Sequence, residues 1–147
     1  MPKLRFMISM SFDGFVAGPS QSVDNPLGIG GERLHEWAFA LEAMRSKHGM
    51  EGGTTFNFVT DGIKSALDQA KRAAGKKDVV LAGGANVAQQ YLEAGLVDEM
   101  HINLAPTFLG SGERLFDGVG DNMHGLELVR TVATPTVTHF KFARRSA

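Results

Sequence analysis

The strongest local signal in the sequence is Val79-Val80-Leu81-Ala82-Gly83-Gly84-Ala85-Asn86. Its short apolar run is typical of a strand in a buried parallel sheet. The two glycines lead into a helix that we predict over residues 86–94, ended by Gly95. Glycines allow a bound group to approach the backbone, and a helix N-terminus favours a phosphate. The pattern therefore predicts a phosphate-binding turn, although a tight strand-to-helix turn without a ligand has the same pattern.

Alternating strands and helices extend outward from this turn in both directions. Period-two and helical spacing of the apolar residues predicts these elements. Strands are predicted over residues 4–12, 55–59, 78–82, 99–105, 126–132 and 137–143. Helices are predicted over residues 33–48, over a segment capped by Thr60 or Asp61 that extends through Ala70, and over residues 86–94. The order predicts an α/β domain with a mainly parallel sheet and an antiparallel C-terminal hairpin.

Composition limits the classes of function. The chain has 147 residues, which is one ordinary domain, and no cysteine, which excludes disulfides and thiolate sites. Fifteen Lys and Arg residues against 16 Asp and Glu residues give a net charge of -1, which argues against nucleic-acid binding. The five histidines show no metal-ligand spacing, so we expect no metal. With no apolar run near the ~18 residues of a membrane span, we expect no membrane partner and a cytoplasmic protein.

The other candidate functional features are two long loops, residues 14–31 and a second loop that begins at Pro106 and contains Gly110-Ser111-Gly112, and one carboxylate, Asp13. Residues 14–31 form a connection of the kind used as a lid or binding loop, and a flexible surface loop is the open alternative. Asp13 ends the first strand on its polar face, where it could hydrogen-bond a substrate or orient a water; a simple turn residue fits equally. We further expect core positions for four aromatic residues and a solubilising role for Arg144 and Arg145. These aromatics are Trp37, Phe39, Phe56 and Phe58.

Four stretches together resemble the RibD C-terminal, dihydrofolate reductase-like family of reductases. The first stretch matches the family's opening strand, which has a Ser-Leu-Asp-Gly hallmark, and the second matches its double-glycine cofactor turn. The third stretch matches the segment after that turn, and the fourth matches the family's closing hairpin. The first three are Ser9–Gly18 (SMSFDGFVAG), Leu81–Leu92 (LAGGANVAQQYL), and Gly95–Met100 (GLVDEM) with Pro106–Phe116 (PTFLGSGERLF). Their order and spacing carry the resemblance over most of the chain.

The resemblance implies a single three-layer α/β/α reductase domain that binds NADPH and delivers hydride to a small heterocycle, as the pyrimidine reductase of riboflavin synthesis does. It also implies a homodimer. Asp13 would lie where nicotinamide and substrate meet. The residues implied to bind the cofactor are Gly83, Gly84, Ala85, Asn86 and Val87, with Gly110, Ser111 and Gly112 bordering the same cleft.

One departure from the family's pattern concerns residues 49–54. The family carries a further strand–helix–strand stretch there, with a Gly-Arg-x-Thr-like turn that contacts cofactor phosphate; only Gly49–Thr54 (GMEGGT) occupies this place. Either this part of the sheet is deleted, or the sequence joins residues across a missing segment. A distance far above about 3.8 Å between consecutive Cα atoms, somewhere between His48 and Thr55, would show the missing segment. A deletion would favour the alternative function, a non-catalytic dimeric protein that binds a nucleotide or phosphate ligand.

Overall fold

The computed structural model describes residues 2–39 and 55–145, and its main feature is a five-stranded sheet. The 49–54 departure therefore lies outside the described residues. The strands are β1 (Leu4–Ser11), β2 (Phe15–Ala17), β3 (Val79–Leu81), β4 (Glu99–Ala105), β5 (Glu113–Arg114), β6 (Leu126–Ala133) and β7 (Thr138–Arg144). The helices are α1 (Glu36–Phe39), α2 (Ile63–Ala74) and α3 (Ala85–Glu93), and a 3-10 turn covers Gly31–Leu34.

The sheet has the order β3-β1-β4-β7-β6. Strands β3, β1 and β4 run parallel, with Leu4 beside Val79 and Phe6 beside Met100. Strands β7 and β6 continue the sheet in antiparallel pairing. A separate antiparallel pair joins β2 to β5. The predicted parallel sheet with an antiparallel C-terminal hairpin is confirmed.

The sheet has one apolar face and one polar face because the side chains of β1, β4 and β7 alternate. On the apolar face, Phe6 and Met100 pack against Leu67 of α2 and Leu92 of α3. On the polar face, the Trp37 ring of α1 lies edge-on to His139 of β7, with 5.2 Å between ring centroids. Helices therefore lie on both sides of the sheet, which gives the three-layer α/β fold.

The predicted strand over residues 55–59 is wrong. Residues 55–60 have no strand pairing, and the side chains of Phe56 and Phe58 are 68% and 93% exposed, so the prediction that they belong to the core is wrong as well. In the described sheet β3 is an edge strand, and Val80 is 66% exposed rather than buried. An apolar alternation specifies a strand only when a neighbouring strand pairs with it.

Helix boundaries also differ from the predictions. Helix α2 begins after Gly62, whose φ of 106° is accessible to glycine, and neither Thr60 nor Asp61 caps it. The helix predicted over 33–48 begins as a 3-10 turn that passes into α1; Trp37 is half-buried, and residues 40–48 and the Phe39 side chain lie outside the described residues. Helix α3 ends as predicted: the Gly95 amide donates to Leu92 O and the Leu96 amide to Tyr91 O.

Arg144 is a structural residue rather than a solubilising one. Its guanidinium donates to the carbonyl oxygens of His124, Gly95 and Val97 at 2.6, 2.6 and 2.8 Å. It therefore ties the end of β7 to the turn after α3. Arg145 is 82% exposed and pairs with Glu127, as expected of a surface residue.

Candidate functional site

The Gly83–Gly84 turn lies at the carboxyl end of β3 and opens α3. Gly83 has a φ of 120°, Gly84 is the N-cap of α3 with a φ of -58°, and the peptide bond between them is cis. A Cβ atom placed on either glycine would meet no heavy atom within 4 Å. The space beside the turn is therefore open to a ligand.

The N-terminus of α3 presents backbone donors toward this space. No side chain caps the helix, and the first bond of the helix runs from the Ala88 amide to Gly84 O. Within residues 2–39 and 55–145, the amides of Ala85, Asn86 and Val87 have no hydrogen-bond acceptor. The Asn86 side chain does not take part in this donor set, since its Oδ1 accepts a hydrogen bond from Gln90 Nε2 at 2.7 Å. Any anion here would be held by backbone N–H groups.

The turn forms one wall of a cavity of about 260 Å³. The opposite wall comes from the loop of residues 14–31 and from β5. The cavity is lined by Ile8, Val16, Ala17, Gln21, Pro26, Leu27, His35, Ala82, Gly83, Gly84, Ala85 and Glu113. Sequence patterns gave no signal for Gln21, His35 or Glu113, because only the folded chain brings them beside the turn. Burial lowers the pKa of His35 and so favours its neutral imidazole.

The 14–31 loop is folded back on itself by backbone contacts. The Gly18 amide donates to Leu27 O at 2.8 Å, and the Ile29 amide donates to Pro19 O at 2.8 Å. Close approach requires glycine here, since a Cβ on Gly18 would lie 1.9 Å from Ile29 O. Of the two alternatives for this loop, the hydrogen-bonded arrangement favours a structured cavity wall.

Asp13 binds the second loop instead of lining the cavity. Its Oδ1 accepts hydrogen bonds from Ser11 Oγ at 2.5 Å and from the Leu109 amide at 3.1 Å, and its Oδ2 accepts from the Gly110 amide at 2.9 Å. Partial burial alone would raise the pKa of Asp13, but the hydrogen bonds from Ser11, Gly110 and Leu109 lower it below its usual value. The side chain is therefore an anion that holds the loop; its contact with substrate stays a prediction.

The Gly110-Ser111-Gly112 loop reaches the cavity wall through its second glycine. Gly112 has a φ of 134°, and a Cβ there would lie 2.0 Å from Ala17 O. Ser111 is exposed. Gln89 Nε2 of α3 donates to Arg114 O of β5 at 2.8 Å, which ties this helix to the strand just after the loop. The loop thus borders the cavity through Ala17 and β5, while its own contact with a cofactor stays a prediction.

The described residues contain neither a metal-ligand cluster nor a membrane-spanning helix. No group of three or more His, Cys, Asp or Glu side chains in residues 2–39 and 55–145 could hold a metal ion. Among the same residues, no helix is both long and apolar enough to cross a membrane.

Comparisons with known proteins match a large part of the chain. The family model described as the RibD C-terminal domain matches residues 51–140. The uncharacterized protein YyaP of Bacillus subtilis (strain 168) is 35% identical over 74 residues, which are 50% of this chain. The chain spans 38% of the length of that curated relative.

Solved structures resemble this fold along nearly its full length. A diaminohydroxyphosphoribosylaminopyrimidine deaminase/5-amino-6-(5-phosphoribosylamino)uracil reductase from Thermotoga maritima is 12% identical with a TM-score of 0.62; the match covers 98% of this chain and 57% of that one. A pyrimidine reductase-like protein from Corynebacterium diphtheriae is 12% identical with a TM-score of 0.59, covering 99% and 93%. The riboflavin biosynthesis reductase of Saccharomyces cerevisiae is 16% identical with a TM-score of 0.57, covering 99% and 89%. At these identities the likeness concerns the fold.

Proposed function

This chain belongs to the RibD C-terminal domain family, and we propose that it is an NADPH-dependent reductase acting on a small heterocycle of pyrimidine or pteridine type. The observation that carries the proposal is the open Gly83–Gly84 turn at the uncapped N-terminus of α3. Family membership and the names of the structural relatives support the class of reaction.

The residues beside the turn fit a cofactor phosphate. Backbone amides of Ala85, Asn86 and Val87 would donate to its oxygens, and the positive end of the helix dipole would favour its charge. The cavity of about 260 Å³ lies just below the ~300–1,000 Å³ of usual small-molecule pockets. A cavity of this size would therefore hold part of the cofactor, such as a phosphate, rather than a whole dinucleotide.

A bound nicotinamide cofactor supplies the hydride, so the protein's part is binding, orientation and exclusion of water. Val16 and Ala17 are buried on the cavity wall and exclude water there. Asp13 orients the 109–112 loop, and through Gly112 this loop supports Ala17. We propose that Asp13 lies beside the substrate and acts as an anion, since its lowered pKa makes it a poor proton donor at neutral pH.

We also propose that the chain forms a homodimer. Supporting this, strand β6 is an edge of the described sheet, and its Leu128 and Val129 side chains are 52% and 56% exposed. Exposed apolar edges of this kind are typical of protein interfaces. Sedimentation equilibrium should give twice the 15.8 kDa mass of the chain, and Leu128→Glu should shift the measured mass toward that of the monomer.

Turnover tests the proposed reaction. Loss of the reduced nicotinamide absorbance should follow addition of a pyrimidine or pteridine substrate to protein and NADPH. The rate should fall in Gly84→Val, which places a side chain in the open space beside the turn. NADPH binding without oxidation by any such substrate would contradict the reaction and support a binding protein instead.

A further inference from the structure

A second cavity lies on the polar face of the sheet. It has a volume of about 360 Å³ and shares no lining residue with the cavity at the Gly83–Gly84 turn. We call it the basic trough, and it is lined by Met7, Trp37, His101, Asn103, Arg130, Val132, His139, Phe140 and Lys141.

Sheet register places the polar side chains of the basic trough in two rows across four strands. Met7 pairs with His101, His101 with Lys141, and Lys141 with Arg130. In the next row, Asn103 pairs with His139 and His139 with Val132. Facing side chains of neighbouring strands lie close together, so two cationic groups and two imidazoles converge on this trough.

Positive charge exceeds negative charge here. Glu99, at the end of the trough, is engaged by Lys3 Nζ at 2.9 Å and Arg5 Nε at 3.1 Å, while Lys141 Nζ lies farther away at 3.7 Å. Among the described residues, no carboxylate lies within ion-pair distance of Arg130. The trough therefore holds surplus positive charge in a chain whose net charge is -1.

Hydrogen-bonding capacity is also unused inside the trough. The Nε2 atom of His101 is buried without a hydrogen-bond partner, 3.8 Å from the nearest Glu99 oxygen. His139 Nδ1 is engaged with Asn103 Oδ1 at 2.7 Å, which fixes the second imidazole. A buried polar atom without a partner is uncommon in proteins and is often satisfied by a ligand or water.

Apolar side chains complete the trough. The Trp37 ring stands edge-on to His139, and Met7 and Val132 line the same space. One planar aromatic ring and two apolar side chains beside clustered cations suit a ligand with a flat ring and an anionic group.

We propose that the basic trough binds an anionic ligand consisting of a phosphate or carboxylate group on a planar ring. Arg130 and Lys141 bind the anionic group, and the ring lies against Trp37 and Met7. The site is separate from the proposed reductase site, so either can exist without the other.

Fluorescence of Trp37 provides a direct test, because it is the single tryptophan of the chain. We expect phenyl phosphate or benzoate to change this fluorescence saturably in the wild-type chain, with phenol and inorganic phosphate binding more weakly. The phenyl phosphate and benzoate arms distinguish the two kinds of anionic group. Loss of one charge-assisted contact in Arg130→Gln or Lys141→Gln should weaken binding by about tenfold or more.

Arg72→Gln is the matched control, since Arg72 is an exposed residue of α2, on the opposite face of the sheet. It removes the same charge and should leave binding unchanged. An equal loss in Arg72→Gln and Arg130→Gln would overturn the proposal. So would the absence of saturation at millimolar ligand, or a fluorescence signal that depends on protein concentration alone, which would assign the trough to a second copy of the chain.

Discussion

The Oδ2 atom of Asp13 accepts a hydrogen bond from the Gly110 amide at 2.9 Å, which joins the end of β1 to a loop 97 residues later in the chain. The same carboxylate accepts from the Leu109 amide and from Ser11 Oγ. Ser11 Oγ in turn accepts from the Phe15 amide at 2.9 Å. One carboxylate therefore fixes the start of one loop against the other, and both loops border the proposed cofactor site.

Asp13→Asn should destabilise the protein by about 1–3 kcal/mol, because the amide replaces one acceptor oxygen with an NH₂ group that faces backbone donors. Chemical denaturation measures this difference. The matched control is Asp24→Asn, an exposed position in the 14–31 loop, which should change the free energy of unfolding by less than about 0.5 kcal/mol. Equal effects of the two substitutions would show that Asp13 does not hold the loop.

Gly112→Ala should be strongly destabilising, since the added Cβ would lie 2.0 Å from Ala17 O and φ is 134°. We expect a loss above about 2 kcal/mol, from steric overlap and backbone strain together. Gly118→Ala is the control: its φ is 76°, but a Cβ there meets nothing within 4 Å. That substitution should lower the free energy of unfolding by only about 1 kcal/mol, from the strain of a left-handed backbone conformation. Comparable melting temperatures for the two variants would refute the close loop contact.

Arg144→Lys should lower the free energy of unfolding by about 1–3 kcal/mol, because a single ammonium does not reproduce the guanidinium bonds to three carbonyl oxygens. Arg145→Lys, next in the chain and exposed, should have almost no effect. Urea denaturation of both variants makes the comparison. An unchanged free energy of unfolding in Arg144→Lys would mean that the three guanidinium hydrogen bonds contribute little to stability.

His101 should make stability depend on pH. Burial, together with the charges of Lys141 and Arg5, lowers the pKa of His101 below 6.5, against the opposing effect of Glu99. The unfolded chain therefore binds a proton more readily than the folded one, so stability should fall as pH drops from about 7 through this window. In His101→Gln the dependence of melting temperature on pH should be shallower. If melting temperature depended on pH equally in the wild-type and His101→Gln proteins, His101 would not contribute to the pH dependence of stability.

Sequence patterns predicted the elements whose information is local. The alternation in β1 and β4 and the Gly-Gly entry into α3 identified these elements and their parallel arrangement. The prediction of a strand at residues 55–59 was wrong because an apolar alternation does not specify a neighbouring strand with which to pair. The N-cap of α2 is Gly62 rather than Thr60 or Asp61. This choice depends on a backbone conformation that composition does not encode.

The candidate site was predictable only in part. Gly83 and Gly84 stood out because their residue type implies an open backbone. His35 and Glu113 line the same cavity through contacts between distant segments, which no spacing in the sequence reveals. The role of Asp13 depended similarly on the Leu109 and Gly110 amides, nearly 100 residues away.

Titration of the protein with NADPH is the sharpest test of the claim that the Gly83–Gly84 turn binds a cofactor. Energy transfer from Trp37 to the nicotinamide should saturate, and Gly84→Val should weaken binding by about tenfold or more while the melting temperature of the free protein changes little. Titration with NADH in parallel reports the preference for the phosphate-bearing cofactor. Undetectable binding at millimolar NADPH, or equal affinities of the wild-type and Gly84→Val proteins, would contradict the claim.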